Sequence, residues 1–227
     1  MKQLLPTLDV ILVAGGSSRR MGFDKLLAPL GGRSMIAHAL SAFNACDDVR
    51  RVVVVCPAGR REDFEKEMQG FPRVFALVEG GAERSDSVMN GIHALESEGE
   101  SLPDFVAVHD AARPLVLPES ISLCFHAAIE NGAAALAEKV VDTLHRCDDK
   151  GIVLEPVSRT NLWRVQTPQI LRWQDLKRLS GSTTDEVSGL LRLGKSATMI
   201  ANPHPNFKMT LPADLVLAEA IIQARSL

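Results

Sequence analysis

Four short runs of the chain are apolar at consecutive positions rather than alternate ones: DVILVAG (Asp9 to Gly15), RVVVVCP (Arg51 to Pro57), RVFALVEGG (Arg73 to Gly81) and DFVAVHDAARP (Asp104 to Pro114). A strand with one face in water alternates in polarity, whereas a continuously apolar strand is buried on both faces. Stretches of helical period, SMIAHALSAF from Ser34, SVMNGIHALES from Ser87 and ESISLCFHAAIENG from Glu119, supply the covering helices. The alternation predicts an α/β chain, a Rossmann-like three-layer sandwich with a mostly parallel sheet. Ligands in such open sheets gather beyond the carboxyl ends of the strands, so the loops after these runs are where a site is expected.

Composition narrows the partners. With 227 residues, 46% hydrophobic and 23% charged, the chain is read as one domain spanning 1–227. The 25 basic and 28 acidic residues leave a net charge of -3, which gives no broad positive field to hold a nucleic acid. The first apolar run is far shorter than a membrane span and no secretory leader pattern precedes it, so a cytoplasmic protein with no membrane partner is expected. Cys46, Cys56, Cys124 and Cys147 are widely spaced, with no pairing that suggests structural zinc or a disulfide framework.

One segment breaks the strand–helix rhythm. VVDTLHRCDDKGIVLEPVSR, from Val140 to Arg159, reads as two extended pieces around a turn at Asp149-Lys150-Gly151. A lone hairpin is marginal in water, so Ile152, Val153 and Leu154 need cover. Either the parent sheet or a second subunit supplies it; the expectation is a homodimer with an arm at about 140–160 in the interface.

The loop after the first run, AGGSSRRMGFDK, carries the clearest chemistry. Gly15 and Gly16 let the backbone approach a bulky anion, and Arg20 and Lys25 bring two cations to the same loop. It lacks both the P-loop lysine and the three-glycine dinucleotide pattern. Asp110, at the end of an apolar run, offers a hard oxygen ligand suited to Mg²⁺ bridging phosphates, or else a cap. Arg113 is read as an ion-pair partner of Asp110 or a phosphate contact, and His109 as structural. Ser87 and Gly81 sit in a strand-to-helix loop suited either to reading a base edge or to capping. Lys208 lies in NFKMT, which reads as an alternating edge strand, and Thr184 reads as the cap of a helix that begins at TDE.

The ordered set AGGSSRRMGFDK, GGAERSDSVMNGI, VHDAARP, Asp142-Thr143, Ser158-Arg159, LWRVQTPQ, TDE and NFKMT resembles the 2-C-methyl-D-erythritol 4-phosphate cytidylyltransferase family. The resemblance implies transfer of CMP from CTP to methylerythritol phosphate with a divalent cation such as Mg²⁺. It implies that Arg20 and Lys25 are catalytic, and that Arg159, Lys208, Thr143, Asp110 and Arg113 position substrate. It further implies that Ala14, Gly15, Gly16, Gly81, Ser87 and Ala111 bind CTP, and that Asp110 holds the metal. The sequence departs from the family at Ser158, where an aspartate is common, and at Val13 to Gly16, which is closer to molybdenum-cofactor nucleotidylyltransferases. That second family and a non-catalytic nucleotide-binding regulator are the competing readings.

Overall fold

A computed structural model of the chain describes residues 6–15, 25–97, 101–179 and 184–225. Its centre is a seven-stranded sheet in the order β11-β7-β10-β6-β1-β4-β5. The four runs form β1 (Leu8–Val13), β4 (Val49–Cys56), β5 (Val74–Glu79) and β6 (Phe105–Asp110), all mutually parallel. β7 (Ala133–Lys139) and β11 (Thr198–Ala201) also pair in parallel, and β10 (Trp163–Arg172) runs antiparallel to both β6 and β7. The α/β class and the mostly parallel sheet are as the sequence predicts.

The valine runs have no polar phase because each face is covered by a different helical layer. Val52 and Val54 join Leu40 and Phe43 of α1 (Met35–Ala45) and Phe125 of α4 (Pro118–Asn131), whereas Val53 and Val55 join Val88, Ile92 and Leu95 of α3 (Arg84–Ser97). Gly91 is needed at the α3 contact, since a β-carbon there would meet Ile11 Cγ2 at 2.6 Å. Successive residues of β6 divide in the same way: Phe105 and Ala107 face the α1/α4 layer, and Val106 and Val108 the α3 layer.

Chain order reverses beside β1, which has β4 on one side and β6 on the other. Crevices form where successive crossovers leave in opposite directions. The register sets Val13 opposite Asp110, so the segments leaving β1 and β6 emerge side by side.

β8 (Leu144–Cys147) and β9 (Val153–Val157) form a separate antiparallel pair. Asp148 Oδ1 accepts from the Lys150 and Ile152 amides in its turn, and Arg146 bonds Glu155 across the strands at 2.8 Å. Ile152 and Leu154 are each 62% exposed and Val141 is 69% exposed. The arm is therefore not folded onto the central sheet of its own chain.

Two expectations need correction. Residues 206–210 are irregular rather than a strand, because Asn206 is buried with its Nδ2 donating to Thr167 O and Gln166 Oε1. The cap of α6 (Glu186–Arg192) is Asp185, not Thr184: its extended backbone lets Oδ1 accept from Ser188 N at 2.7 Å.

Candidate functional site

A cavity of about 350 Å³ opens at the β1/β6 crevice, lined by Val13, Ala14, Gly15, Lys25, Leu26, Ala82, Glu83, Arg84, Ser87, Asp110, Ala112 and Lys208. Six of the residues expected from the sequence, Ala14, Gly15, Lys25, Ser87, Asp110 and Lys208, thus meet in one place. Gly81 and Ala111 are next in sequence to the lining residues Ala82 and Ala112. Gly16 and Arg20 lie outside the described residues.

Gly15 does not have a positive φ; its role is close approach, since a β-carbon would sit 2.9 Å from Ser87 Oγ. Ser87 is buried inside α3 rather than at its N-cap. Its hydroxyl donates to Glu83 O at 3.2 Å and accepts from Gly81 N at 3.3 Å, which ties the loop after β5 to the helix and holds it against Gly15.

Asp110 is the electrostatic centre. Arg84 Nε donates to its Oδ1 at 3.0 Å and Lys208 Nζ to its Oδ2 at 2.7 Å. Burial works against the charge, but Arg84 and then Lys208 outweigh it and hold the carboxyl well below the usual carboxylate range. Arg84 spends its other two nitrogens on Glu186, at 2.6 and 3.0 Å. Burial opposes the Arg84 charge, yet Glu186 and Asp110 together raise its pKa.

The expected Asp110–Arg113 ion pair is replaced by these contacts. Arg113 instead donates to Asn206 O at 2.8 Å, and burial lowers its pKa, with Asp110 and Glu138 opposing the shift. Sequence reading missed Arg84 and Glu186 as site residues although both lie in quoted motifs. Their charges sit in the first turns of α3 and α6, where charge ordinarily reads as helix-end decoration.

The segment 206–210 organises both described lysines of the cavity. Met209 N donates to Ala112 O at 2.8 Å, and Met209 O accepts from Lys25 Nζ at 2.8 Å, while Lys208 reaches Asp110. Two ammonium groups distant in sequence are thereby brought to one anion-sized opening.

His109 is next to Asp110 but on the opposite face of β6, edge-on to Phe43 with ring centroids 4.9 Å apart. Its Nε2 faces Arg113 O, an acceptor, so that nitrogen carries the proton; Nδ1 accepts from Thr167 Oγ1, which itself accepts from Asp110 N. Burial is the main cause that pushes its pKa down to about 4. Because the folded pKa lies below the unfolded value of ~6.5, stability from this group is full above pH ~6.5 and is lost as pH falls towards 4. About 3 kcal/mol is at stake. Denaturant titrations between pH 7 and 4.5 should show the decline while the His109 ring stays neutral by NMR; a ring that titrates near 6.5 in the folded protein would contradict this environment.

Among the described residues no three His, Cys, Asp or Glu side chains converge on a metal position. Mg²⁺ bound with a triphosphate needs only one or two protein carboxylates, the remaining ligands being phosphate oxygens and water. Asp110 fits that requirement: it is held ionised, each oxygen is engaged by one described cation, and each keeps a further lone pair.

Thr143 and Arg159 stand apart from the cavity, exposed at the base of the arm, where Arg159 Nη1 donates to Val141 O. No helix among the described residues is long and apolar enough to cross a membrane.

A family model, IspD: 2-C-methyl-D-erythritol 4-phosphate cytidylyltransferase, matches residues 8–224. The 2-C-methyl-D-erythritol 4-phosphate cytidylyltransferase of Pelotomaculum thermopropionicum is 37% identical, covering 95% of this chain and 94% of its own. A crystal structure of 4-diphosphocytidyl-2C-methyl-D-erythritol synthase superposes with a TM-score of 0.85 at 28% identity, covering 97% of this chain and all (100%) of the other. The cytidylyltransferase of Thermus thermophilus gives 0.76 at 29%, covering 96% and 100%. These matches do not favour a molybdenum-cofactor enzyme. From residue 8 to residue 224, the chain belongs to the 2-C-methyl-D-erythritol 4-phosphate cytidylyltransferase family.

Proposed function

We propose that this cavity transfers CMP from CTP to 2-C-methyl-D-erythritol 4-phosphate, releasing pyrophosphate and forming 4-diphosphocytidyl-2-C-methyl-D-erythritol for non-mevalonate isoprenoid synthesis. The observation that carries the reading is the convergence of Lys25, Lys208 and ionised Asp110 beside the loops after β1 and β5. A phosphate oxygen of the acceptor attacks the α-phosphorus of CTP in line. As that P–O bond forms, the bond to the bridging oxygen breaks and its electron pair leaves with pyrophosphate. A phosphate monoester has its second pKa near ~6, so the nucleophile is already mostly a dianion and needs no general base. Two anions must nevertheless approach, and positive charge lowers that barrier.

Lys25 and Arg20 stabilise the charge that develops on the triphosphate. Lys208 meets the acceptor phosphate, and Arg113 supports it by fixing the backbone at Asn206. Ala14, Gly15, Gly16, Gly81, Ser87 and Ala111 receive the nucleotide. A divalent cation, when bound, neutralises phosphate charge, and Asp110 is the residue that would hold it.

The chain acts as one domain whose arm forms a cytoplasmic homodimer. Three consecutive exposed apolar residues at the arm, Ile152 to Leu154, support this, as does the fact that neither Thr143 nor Arg159 is among the residues lining the chain's own cavity. Thr143 and Arg159 then complete the neighbouring subunit's site. Replacing Arg159 with alanine should raise the KM for the acceptor roughly ten- to a hundredfold, the value of one charge-assisted contact, with the KM for CTP little changed. An unchanged acceptor KM would remove Arg159 from the site. Pyrophosphate release from CTP and from GTP, with and without methylerythritol phosphate, tests the whole reading: release should require both CTP and the acceptor, and equal release without acceptor would defeat it.

A further inference from the structure

Glu186, Arg84, Asp110 and Lys208 form one line of alternating charge, joining α6, α3, β6 and the 206–210 segment, and the last three of them line the cavity. The Glu186 side chain is only 5% exposed, against 24% for Arg84. It accepts from both terminal nitrogens of Arg84, across 102 positions of sequence, and Asp110 meets the other edge of the guanidinium at Nε. A planar guanidinium prefers to hold a carboxylate with two parallel bonds. Here Glu186 takes two bonds at the Nη1/Nη2 edge, while Asp110 at the other edge receives a single bond, from Nε to Oδ1. Asp110 Oδ2 therefore stays with Lys208 at 2.7 Å.

The geometry points to Glu186 as a positioning residue for acceptor transfer: by holding the end of the Arg84 guanidinium with two bonds it sets Nε alone against Asp110 Oδ1, leaves Oδ2 to Lys208, and so fixes the ammonium that meets the incoming phosphate. Glu186 touches neither substrate. Its effect passes through Arg84 and Asp110 to Lys208. Without the Glu186 charge, the Arg84 fork turns to both oxygens of Asp110 and Lys208 loses its anchor. The inference rests on the cytidylyl-transfer reading.

A double-mutant cycle between Glu186→Gln and Lys208→Met isolates the connection, because residues acting through one another give non-additive effects whereas independent ones add. In the otherwise unchanged full-length enzyme, Glu186→Gln should lower kcat/KM for methylerythritol phosphate roughly tenfold or more. In the Lys208→Met background the same change should cost less than about threefold. CTP affinity, measured by calorimetry without acceptor, should stay within about threefold throughout. If Glu186→Gln does not fold, Glu186→Asp, which keeps the charge but is one methylene too short to hold both terminal nitrogens of Arg84, takes its place in the cycle with the same expectation. Equal losses in the two backgrounds, or collapse of CTP binding, would overturn the role and leave a purely structural pair. Failure of the wild-type enzyme to release pyrophosphate with CTP and acceptor would instead defeat the transfer reading itself, so the two failures are told apart.

Discussion

Replacing Lys25 with alanine should lower turnover roughly a thousandfold while costing the fold little. A unit charge ~4 Å from developing charge, at an effective dielectric of ~20, is worth about 4 kcal/mol, and each ~1.4 kcal/mol is tenfold in rate. The structural loss is smaller: the ammonium donates to Met209 O at 2.8 Å, and a part-buried bond from a charged donor is worth about 2 kcal/mol. Single-turnover kinetics with CTP and acceptor, beside a thermal melt, separate the two. A well-folded variant with near-normal turnover would remove Lys25 from the reaction.

Asp110→Asn should damage activity and stability together. Its carboxylate, with an 11% exposed side chain, compensates both Arg84 and Lys208. Breaking a buried pair by removing one partner costs about 3–5 kcal/mol, and the lower end applies because Arg84 keeps Glu186 and Lys208 reaches solvent. A loss of about 3 kcal/mol in a chain of this size lowers the melting midpoint by roughly 6–12 °C. Acceptor-dependent turnover should fall at least about a hundredfold, since Lys208 is released and the carboxylate suited to the metal is gone. The sign with pH is fixed. The folded pKa is depressed, so the stabilisation is present above the ordinary carboxylate pKa of ~4 and is lost as pH falls below it. The stability gap between wild type and variant should therefore narrow in acid; a gap that is constant from pH 7 to 3 would mean that Asp110 is not held by these cations.

The sequence carries the sheet's interior more clearly than its margin. The valines of β4 announce two covered faces because no polar phase interrupts them. β7 is harder: AAALAEK has the composition of a good helix, and it is a strand because Gly132 ends α4 in a left-handed conformation and β10 and β11 pair with it on both sides. The same division holds at the site. Gly15, Lys25 and Asp110 follow apolar runs, so topology delivers them to the crevice. Arg84 and Glu186 meet only after the intervening strands β6, β7 and β10 are in place, and no local pattern records a contact across 102 residues. Lys208 was marked by resemblance, but its segment reads as a strand until the buried Asn206 is seen to anchor it to β10 instead.

The most direct test is a crystal structure of this chain with CTP. Its triphosphate should lie at the crevice between the β1 and β6 carboxyl ends, within hydrogen-bonding reach of the Lys25 ammonium, with the nucleoside towards Gly81 and Ser87. A triphosphate bound elsewhere, with Lys25 still on Met209 and too far away to touch it, would contradict the claim that this cavity performs the transfer.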